Sequence, residues 1–437
     1  MTSRKKQRRS QPGVLLMVEN HSVPADRRVW GEARSLRHAG YRVSVICPRG
    51  RHMDREPYAL LEDIAIYRFA MPFGGSGRAQ FFLEYSWAWL ACFGLVLRVW
   101  RERGFDALHV GNPPDFFFPL GRLLRLFGKR FVFDQHDLCP ETYLSKFPQA
   151  RRGLMFRLLE WMERSSYAAA DVVITTNESY RGMAERRGRV PLERIFVVRN
   201  SPNRELFQPR PADAALKRGF DHLVAYVGVM AHQDGVDYLL RAAHHVVHER
   251  GRKDVLFVLI GTGDAWDELQ RLHAELRLEP QVIFTGRIPD EPMLAYLANA
   301  DVCASPDPFN PLNDVSTMTK VMEFMAVGKP IVSFDLKEAR FSAQGAAVYV
   351  ANNDARAFGQ AIVELLDDPE RRRHMGAAGL ERICTEIGWE RSEANLLAAY
   401  ARLFGSRVPA RSLDAEPTPA RTSASPSRSV GIKEVAP

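Results

Sequence analysis

Lys320-Val-Met-Glu-Phe-Met-Ala-Val-Gly328-Lys-Pro330-Ile-Val332 reads as a helix that stops at a glycine and passes, through a proline, into a strand. Glycine accepts the left-handed turn that closes a helix, and proline is tolerated where a strand begins because its missing N–H is not yet needed. Outward from this stretch the same alternation repeats: short runs rich in Val and Ile separated by helix-length segments, the pattern of parallel βαβ units. The runs fall at 14–18, 42–47, 107–110, 130–134, 171–175 and 195–199 in the first half, and at 223–227, 255–260, 282–285, 301–304, 330–334 and 347–350 in the second. Most are continuously apolar, as strands covered on both faces must be.

The two sets are separated by 201–219, which holds three prolines and mixed charge without periodicity. The chain therefore divides into two doubly wound α/β domains, 14–202 and 203–385, followed by a helical segment at 386–404. That helix carries Leu396, Leu397, Tyr400 and Leu403 on one stripe. The basic opening 1–13 and the Pro/Ser/Thr/Ala/Arg-rich 405–437 read as disordered tails. Two such domains leave a cleft between the carboxyl ends of their strands, where ligands bind. Fold alone does not name the reaction.

Composition sets outer limits. At 437 residues and 46% apolar content the chain supports two full cores. Five scattered cysteines, none in a C-x-x-C pair, suggest neither a disulfide framework nor a zinc cluster. A formal charge of +8 fits nucleic acid, an anionic membrane, a phosphorylated substrate or plain solubility. The opening run Arg4, Lys5, Lys6, Arg8, Arg9 has no apolar stretch behind it and is not read as a secretory signal. Residues 81–100 are apolar nearly all round, but only thirteen residues lie uncharged between Glu84 and Arg98, short of the roughly 20 needed to span a bilayer. Two readings stay open: a helix buried in the first domain, or one partly embedded at a membrane interface.

Ser316, Thr317 and Thr319 precede or open the 320–328 helix, so its free N–H groups and these hydroxyls form an anion site, with Lys320 beside them. Glu323 lies one turn inside, placed to accept hydrogen bonds from a ribose. This string resembles the donor-site motif of family 4 of the retaining glycosyltransferases, in which a glutamate on this helix binds the nucleotide ribose. The resemblance runs from about residue 14 to 403. It includes Ile260-Gly261-Thr-Gly263-Asp264, similar to the family's strand-to-helix glycine turn, and Phe284-Thr-Gly286-Arg287-Ile288, similar to the loop whose backbone reads the base. Trp266 stands where a third glycine of the dinucleotide fingerprint would be, which argues against NAD.

In the first half, Asn20-His-Ser-Val-Pro24-Ala-Asp26-Arg27-Arg28, Asn112-Pro-Pro-Asp115 and Phe133-Asp134-Gln-His136-Asp137 each follow a strand and so face the cleft. They resemble a branch of family 4 met in bacterial surface-polysaccharide assembly, and the resemblance places His136 beside the transferred sugar. Two departures stand out. Many members carry a second glutamate eight positions before the first, but here that position is Val315, with Asp314 beside it. They also hold the donor diphosphate with an Arg and a Lys in the first loop of the second domain. In Tyr226-Val-Gly228-Val229-Met-Ala-His-Gln-Asp234-Gly235 those places are taken by Val229 and Asp234. The replacement charge is expected from Lys320, the helix start, and Arg28 or, second, Arg27.

The resemblance implies the GT-B fold, with the last helix crossing back to the first domain. It also implies retaining transfer of a sugar from a nucleoside diphosphate to a lipid-linked or saccharide acceptor. The expected site comprises His136, Asp137 and Asp314 around the sugar, and Glu323, Lys320, Ser316, Thr317, Thr319, Ile288, Arg287, Gly228, Gly261 and Arg28 around the donor. No cofactor or metal is expected: there is no Asp-x-Asp, and His244 and His248 lack a third ligand. The expected partners are the nucleotide sugar, the acceptor and a peripheral membrane contact, not nucleic acid. The expected place is the cytoplasm at the inner face of the cell membrane. Two alternatives remain. An epimerase would convert donor without acceptor, and a degenerate scaffold would bind partners without turnover.

Overall fold

The structure, a computed structural model, describes residues 11–50, 54–71, 78–147 and 153–405, the side chains of 78–82 excepted. The tails read at 1–13 and 405–437 lie almost wholly outside them; Gly13 opens the first strand and Gly405 caps the last helix. The first half runs β1 (Gly13–Met17), α1 (Arg27–His38), β2 (Arg42–Pro48), β3 (Tyr58–Leu61), β4 (Ile64–Phe69), α2 (Arg78–Glu102), β5 (Ala107–Gly111), α3 (Phe118–Arg125), β6 (Arg130–Gln135), α4 (Cys139–Lys146), α5 (Leu154–Ala169), β7 (Val172–Thr175), α6 (Glu178–Gly188) and β8 (Ile195–Val197). The second runs β9 (His222–Val227), α7 (Val236–His244), β10 (Val255–Ile260), α8 (Trp266–Glu275), β11 (Val282–Gly286), α9 (Asp290–Asn299), β12 (Val302–Ser305), α10 (Thr319–Ala326), β13 (Ile331–Phe334), α11 (Lys337–Ala343), β14 (Ala347–Val350), α12 (Ala355–Asp367), α13 (Pro369–Thr385) and α14 (Trp389–Phe404).

The first sheet has strand order β3-β4-β2-β1-β5-β6-β7-β8, parallel except for the β3–β4 hairpin, and the second β11-β10-β9-β12-β13-β14, parallel throughout. In each, the order reverses beside the sheet's first strand, β1 or β9, and it is at such switch points that a crevice opens. Both sheets are packed on both faces, which is why their strands read as unbroken apolar runs. Every run expected from the sequence is a strand.

The hairpin β3–β4 was not among them. Its turn residues Glu62 and Asp63 both have positive φ, 48° and 62°, without the glycine that usually marks such a turn. Arg68 interrupts the apolar run of β4, and it is buried because Val23 O at 2.7 Å and Asp54 Oδ1 at 3.2 Å answer its guanidinium. The last helix does cross back. Leu396, Ala399, Tyr400 and Leu403 lie in the first domain's core beside Val14 and Val43, and the Tyr400 hydroxyl meets His109 Nδ1 at 2.8 Å.

Residues 81–100 fall within α2. Ala88, Cys92, Val96 and Val99, spaced by four, four and three, pack on the sheet, while Leu83 and Leu90 on other faces are 54% and 61% exposed. Among the described residues no helix is long and apolar enough to cross a membrane.

Candidate functional site

The cleft is lined by turns at the carboxyl ends of the strands. On the second domain, α10 is preceded by Met318 without a side-chain cap and has no acid in its first turn; the Val321 N–H already meets Met318 O at 3.1 Å, which leaves the Thr319 and Lys320 N–H groups uncapped by a side chain. Glu323, in the second turn, has 14% of its side chain exposed. Burial pushes its carboxyl up to about 7, against the opposing pull of Arg27. Arg27 belongs to α1 of the first domain: it reaches across the cleft, 3.6 Å from Glu323 Oε1 and 2.9 Å from both carboxylate oxygens of Asp290.

Beside this helix two glycine turns press together. A Cβ on Gly261, whose φ is +135°, would stand 1.8 Å from Gly228 O, and one on Gly263 would stand 2.4 Å from Met230 O. Both glycines thus serve close backbone approach, not a dinucleotide fingerprint. Gly261→Ala should destabilise the protein by about 1–3 kcal/mol, the range for a non-glycine residue forced into a strained backbone. A chemical-unfolding midpoint equal to wild type would show that the turn relaxes freely.

Lys320 is buried. Its ammonium donates to Asp307 Oδ1 at 2.6 Å, lies 3.9 Å from Asp234 Oδ1 and sits over the Tyr226 ring. Its charge is thus answered within the protein, and burial pushes the Asp234 carboxyl up to about 6, with Lys320 pulling the other way. Val229, at the place of the family's arginine, is 59% exposed.

The other expected donor groups divide. Thr319 is exposed at the helix start, and Arg287 is exposed next to the half-buried Ile288. The Ser316 hydroxyl proton is already used within the protein, which corrects its reading as a phosphate donor, whereas Thr317 Oγ1 accepts from two partners and keeps its own proton. Ser316 Oγ donates to Leu312 O at 2.8 Å and meets the Tyr180 hydroxyl at 2.9 Å; Thr317 Oγ1 accepts from Asn177 Nδ2 at 3.0 Å and Arg199 Nη2 at 3.3 Å. These hydroxyls join the domains. Ser179 Oγ adds a bond to the buried Glu338 at 2.7 Å. Asn177, Tyr180 and Arg199 had no motif to announce them; the signal was their place, since Asn177 caps the helix after β7 and Arg199 follows β8.

On the first domain, Asn112 ties two turns together. Its Oδ1 accepts from the amides of His136 at 2.6 Å and Asp137 at 3.0 Å, and its Nδ2 donates to Asp115 Oδ1 at 2.7 Å and Asp137 O at 2.8 Å. His136 Nε2 lies 2.6 Å from Asp134 Oδ2, which fixes the ring while 15% of the side chain stays open to the cleft. Burial raises the neighbouring Asp137 carboxyl. Asp314 has one oxygen engaged: its Oδ1 accepts from the Lys337 amide at 2.9 Å at the start of α11.

Arg28 is the clearest correction. Its guanidinium donates to Asp134 Oδ1 at 2.9 Å, Val198 O at 2.7 Å and Asn200 Oδ1 at 2.8 Å, and lies 3.2 Å from Glu32, with 9% of the side chain exposed. Glu32, His109 and Asp134 converge within 4.8 Å of one another, all buried, and the guanidinium is the cation that bridges the two carboxylates. Burial disfavours charge on Asp134, but Arg28 and His136 hold its carboxyl well below the usual range. Arg28 is therefore committed to its own domain, and Arg27 is the arginine that reaches the other.

Known proteins carry the same plan. Residues 25–201 match the family described as "Glycosyl transferase 4-like domain", and residues 221–368 match "Glycosyl transferases group 1". An alpha-maltose-1-phosphate synthase of Mycolicibacterium smegmatis is 27% identical over 300 residues, 64% of this chain and 74% of that protein. An alpha-D-kanosaminyltransferase of Streptomyces kanamyceticus is 25% identical over 61% of this chain and 68% of its own. Among solved structures, sucrose-phosphate synthase from Thermosynechococcus elongatus superposes with a TM-score of 0.74 at 20% identity, covering 90% of this chain and 99% of that one. Anabaena HepE in complex with UDP and glucose gives 0.68 at 15%, covering 90% and 100%.

Proposed function

Because the chain belongs to the family 4 glycosyltransferases and is an enzyme of the GT-B type, we propose that it moves a sugar, with retention, from a nucleoside diphosphate to a lipid-linked saccharide acceptor in polysaccharide or glycoconjugate assembly. The observation that carries this reading is Glu323 on the second turn of a helix that starts at the cleft without a side-chain cap. Complexes of HepE with UDP and with UDP-glucose support a nucleotide sugar as ligand.

In this reading Glu323 accepts from the ribose, the backbone at Arg287 and Ile288 meets the base, and the diphosphate sits between the α10 start and the Gly228–Gly261 turns. His136 and Asp137 face the sugar. The bond from the anomeric carbon to the donor phosphate oxygen breaks as the acceptor oxygen attacks on the same face, and the acceptor proton passes to the leaving phosphate. The protein positions the partners and stabilises the departing charge. Lys320 is paired with Asp307 and Arg27 with Asp290, so the positive charge beside the donor is largely answered within the protein and the helix start is left as the main positive element. That scarcity favours a second reading, a protein that binds donor or partners without turnover; release of nucleotide from UDP-, GDP- or ADP-sugars with a lipid-linked acceptor excludes it.

Glu323→Ala should weaken donor binding by about 1.5–3 kcal/mol, the worth of a hydrogen bond to a charged group, with the fold retained. In the wild type, donor affinity should rise with pH through about 7, because a ribose hydroxyl donates more strongly to the carboxylate than to the neutral acid. Glu323→Gln should flatten that profile. An unchanged Kd in a folded Glu323→Ala variant removes this residue from the donor site.

A further inference from the structure

Arg27 opens α1 on the first domain, yet every printed partner of its guanidinium lies across the cleft. Nη2 meets both carboxylate oxygens of Asp290, the first residue of α9, at 2.9 Å. Nη1 stands 3.6 Å from Glu323 Oε1 on α10. The face of the guanidinium lies 5.3 Å from the centre of the Phe207 ring, which is buried in the segment that joins the domains. An arginine on a free surface samples many rotamers, whereas one gripped at its fork and on its face keeps its charge in one place.

The two distances differ in meaning. At 2.9 Å the Asp290 contact is a hydrogen bond, but 3.6 Å is too long for one. Arg27 therefore faces Glu323 without taking up its oxygens, whose lone pairs stay open to a ligand. A cation at that separation acts through its field and favours the ionised carboxyl. The charged groups that act on Glu323 are Arg27 of α1, Asp290 of α9 and Lys320 of α10 itself. Burial is the largest influence and pushes the carboxyl up to about 7; Arg27 opposes it, Asp290 reinforces it, and Lys320 opposes it least. The Arg27–Asp290 pair does not cancel at Glu323, because the guanidinium outweighs the acid there. Lys320, three residues before Glu323, is occupied by Asp307 at 2.6 Å and is no substitute.

We propose that Arg27 is a positioning residue for Glu323: from the first domain it fixes a positive charge beside the ribose-binding carboxylate without occupying its oxygens, so that the second domain's donor site is complete only while the two domains stand together. This rests on Glu323 being the ribose ligand.

Equilibrium binding of UDP and of GDP to the full chain, measured on both sides of neutral pH, tests the proposal. In the wild type, affinity should rise with pH through about 7. Arg27→Gln keeps length and polarity but removes the charge, so the rise should move to higher pH by about one unit. At neutral pH that shift loosens Kd by about fivefold, and in mildly alkaline solution, where the carboxyl is ionised in both proteins, the loss should largely vanish. Arg27→Lys should recover most of the wild-type profile, because what acts on Glu323 is a field and not a fork. A loss in Arg27→Gln that is equal at every pH would make Arg27 a direct ligand of the nucleotide. A gain would make it a plug over the ribose subsite, and an unmoved profile would reduce it to a surface ion pair; each of these overturns the proposal. Glu323→Gln tells this failure apart from failure of the donor-site reading. If that variant flattens the profile, Glu323 holds the ribose whatever Arg27 does; if it leaves Kd unchanged in a folded protein, the reading and the proposal fall together.

Discussion

Arg28→Ala should cost the fold about 3–5 kcal/mol, the penalty for stripping a buried charge network of its partner. The guanidinium bridges Asp134 and Glu32, both fully buried. Burial works against its charge, and Asp134, then Glu32, more than offset that effect. Without it, Asp134 and Glu32 stay buried side by side with only the imidazoles of His136 and His109, 2.6 and 3.3 Å from Asp134, beside them, and the Glu32 oxygens already lack a hydrogen-bond partner. The same side chain holds Val198 O and Asn200 at the exit toward the second domain, so its loss also slackens the crossing. Urea unfolding of Arg28→Ala and Arg28→Lys measures this, with Lys intermediate because an ammonium cannot supply the fork. Arg27→Ala, at a side chain 45% exposed, should cost no more than about 1 kcal/mol. Equal, small losses at both positions would mean that the buried network is dispensable.

The contrast between these neighbours shows where sequence reasoning ran out. The parallel strands were legible because burial on both faces leaves unbroken runs such as Val255–Ile260, and the crossing helix because Leu396, Tyr400 and Leu403 share a stripe. Hairpin β3–β4 was not, since its first strand is largely exposed and its second hides an arginine whose partners come from distant loops. α2 was legible only by half. Its composition is apolar all round, and which side meets the sheet is set by small residues, Ala88 and Cys92, that let the helix approach.

In the site, the α10 motif carried its own position, so Glu323 and the two glycine turns could be placed at the carboxyl ends of their strands from local spacing. Which arginine crosses the cleft depended on partners 106 and 263 residues away, Asp134 and Asp290. A local clue did exist: Arg28, Glu32 and Leu36 fall at steps of four on the helix, so Arg28 shares the core-facing stripe and Arg27 is turned away from it. Ser316 was misread for the reverse reason: its hydroxyl sits just before a helix start, as anion-binding groups do, but Leu312 O and Tyr180, brought in by the fold, occupy it first.

His136→Ala should lower kcat by about 10²–10³, or roughly 2.7–4 kcal/mol, the usual loss when one preorganised polar group is removed from a reacting centre. The ring is held from two sides: Asp134 grips Nε2 at 2.6 Å and Asn112 anchors the backbone amide at 2.6 Å, so its open edge is presented to the cleft with little freedom. Its removal leaves Asp134 with Arg28 and His109, so stability should fall little, and donor Kd, governed by Glu323 and α10, should stay near wild type. Gly111 supplies an independent probe, because a Cβ there would stand 2.9 Å from His136 Cε1. Gly111→Ala should displace the ring without deleting it and reproduce part of the loss in kcat. Single-turnover rates with saturating nucleotide sugar, beside donor Kd and unfolding midpoints, separate the cases. A histidine that merely fills space would show a lowered midpoint with an unchanged rate, and that result would remove His136 from the reaction.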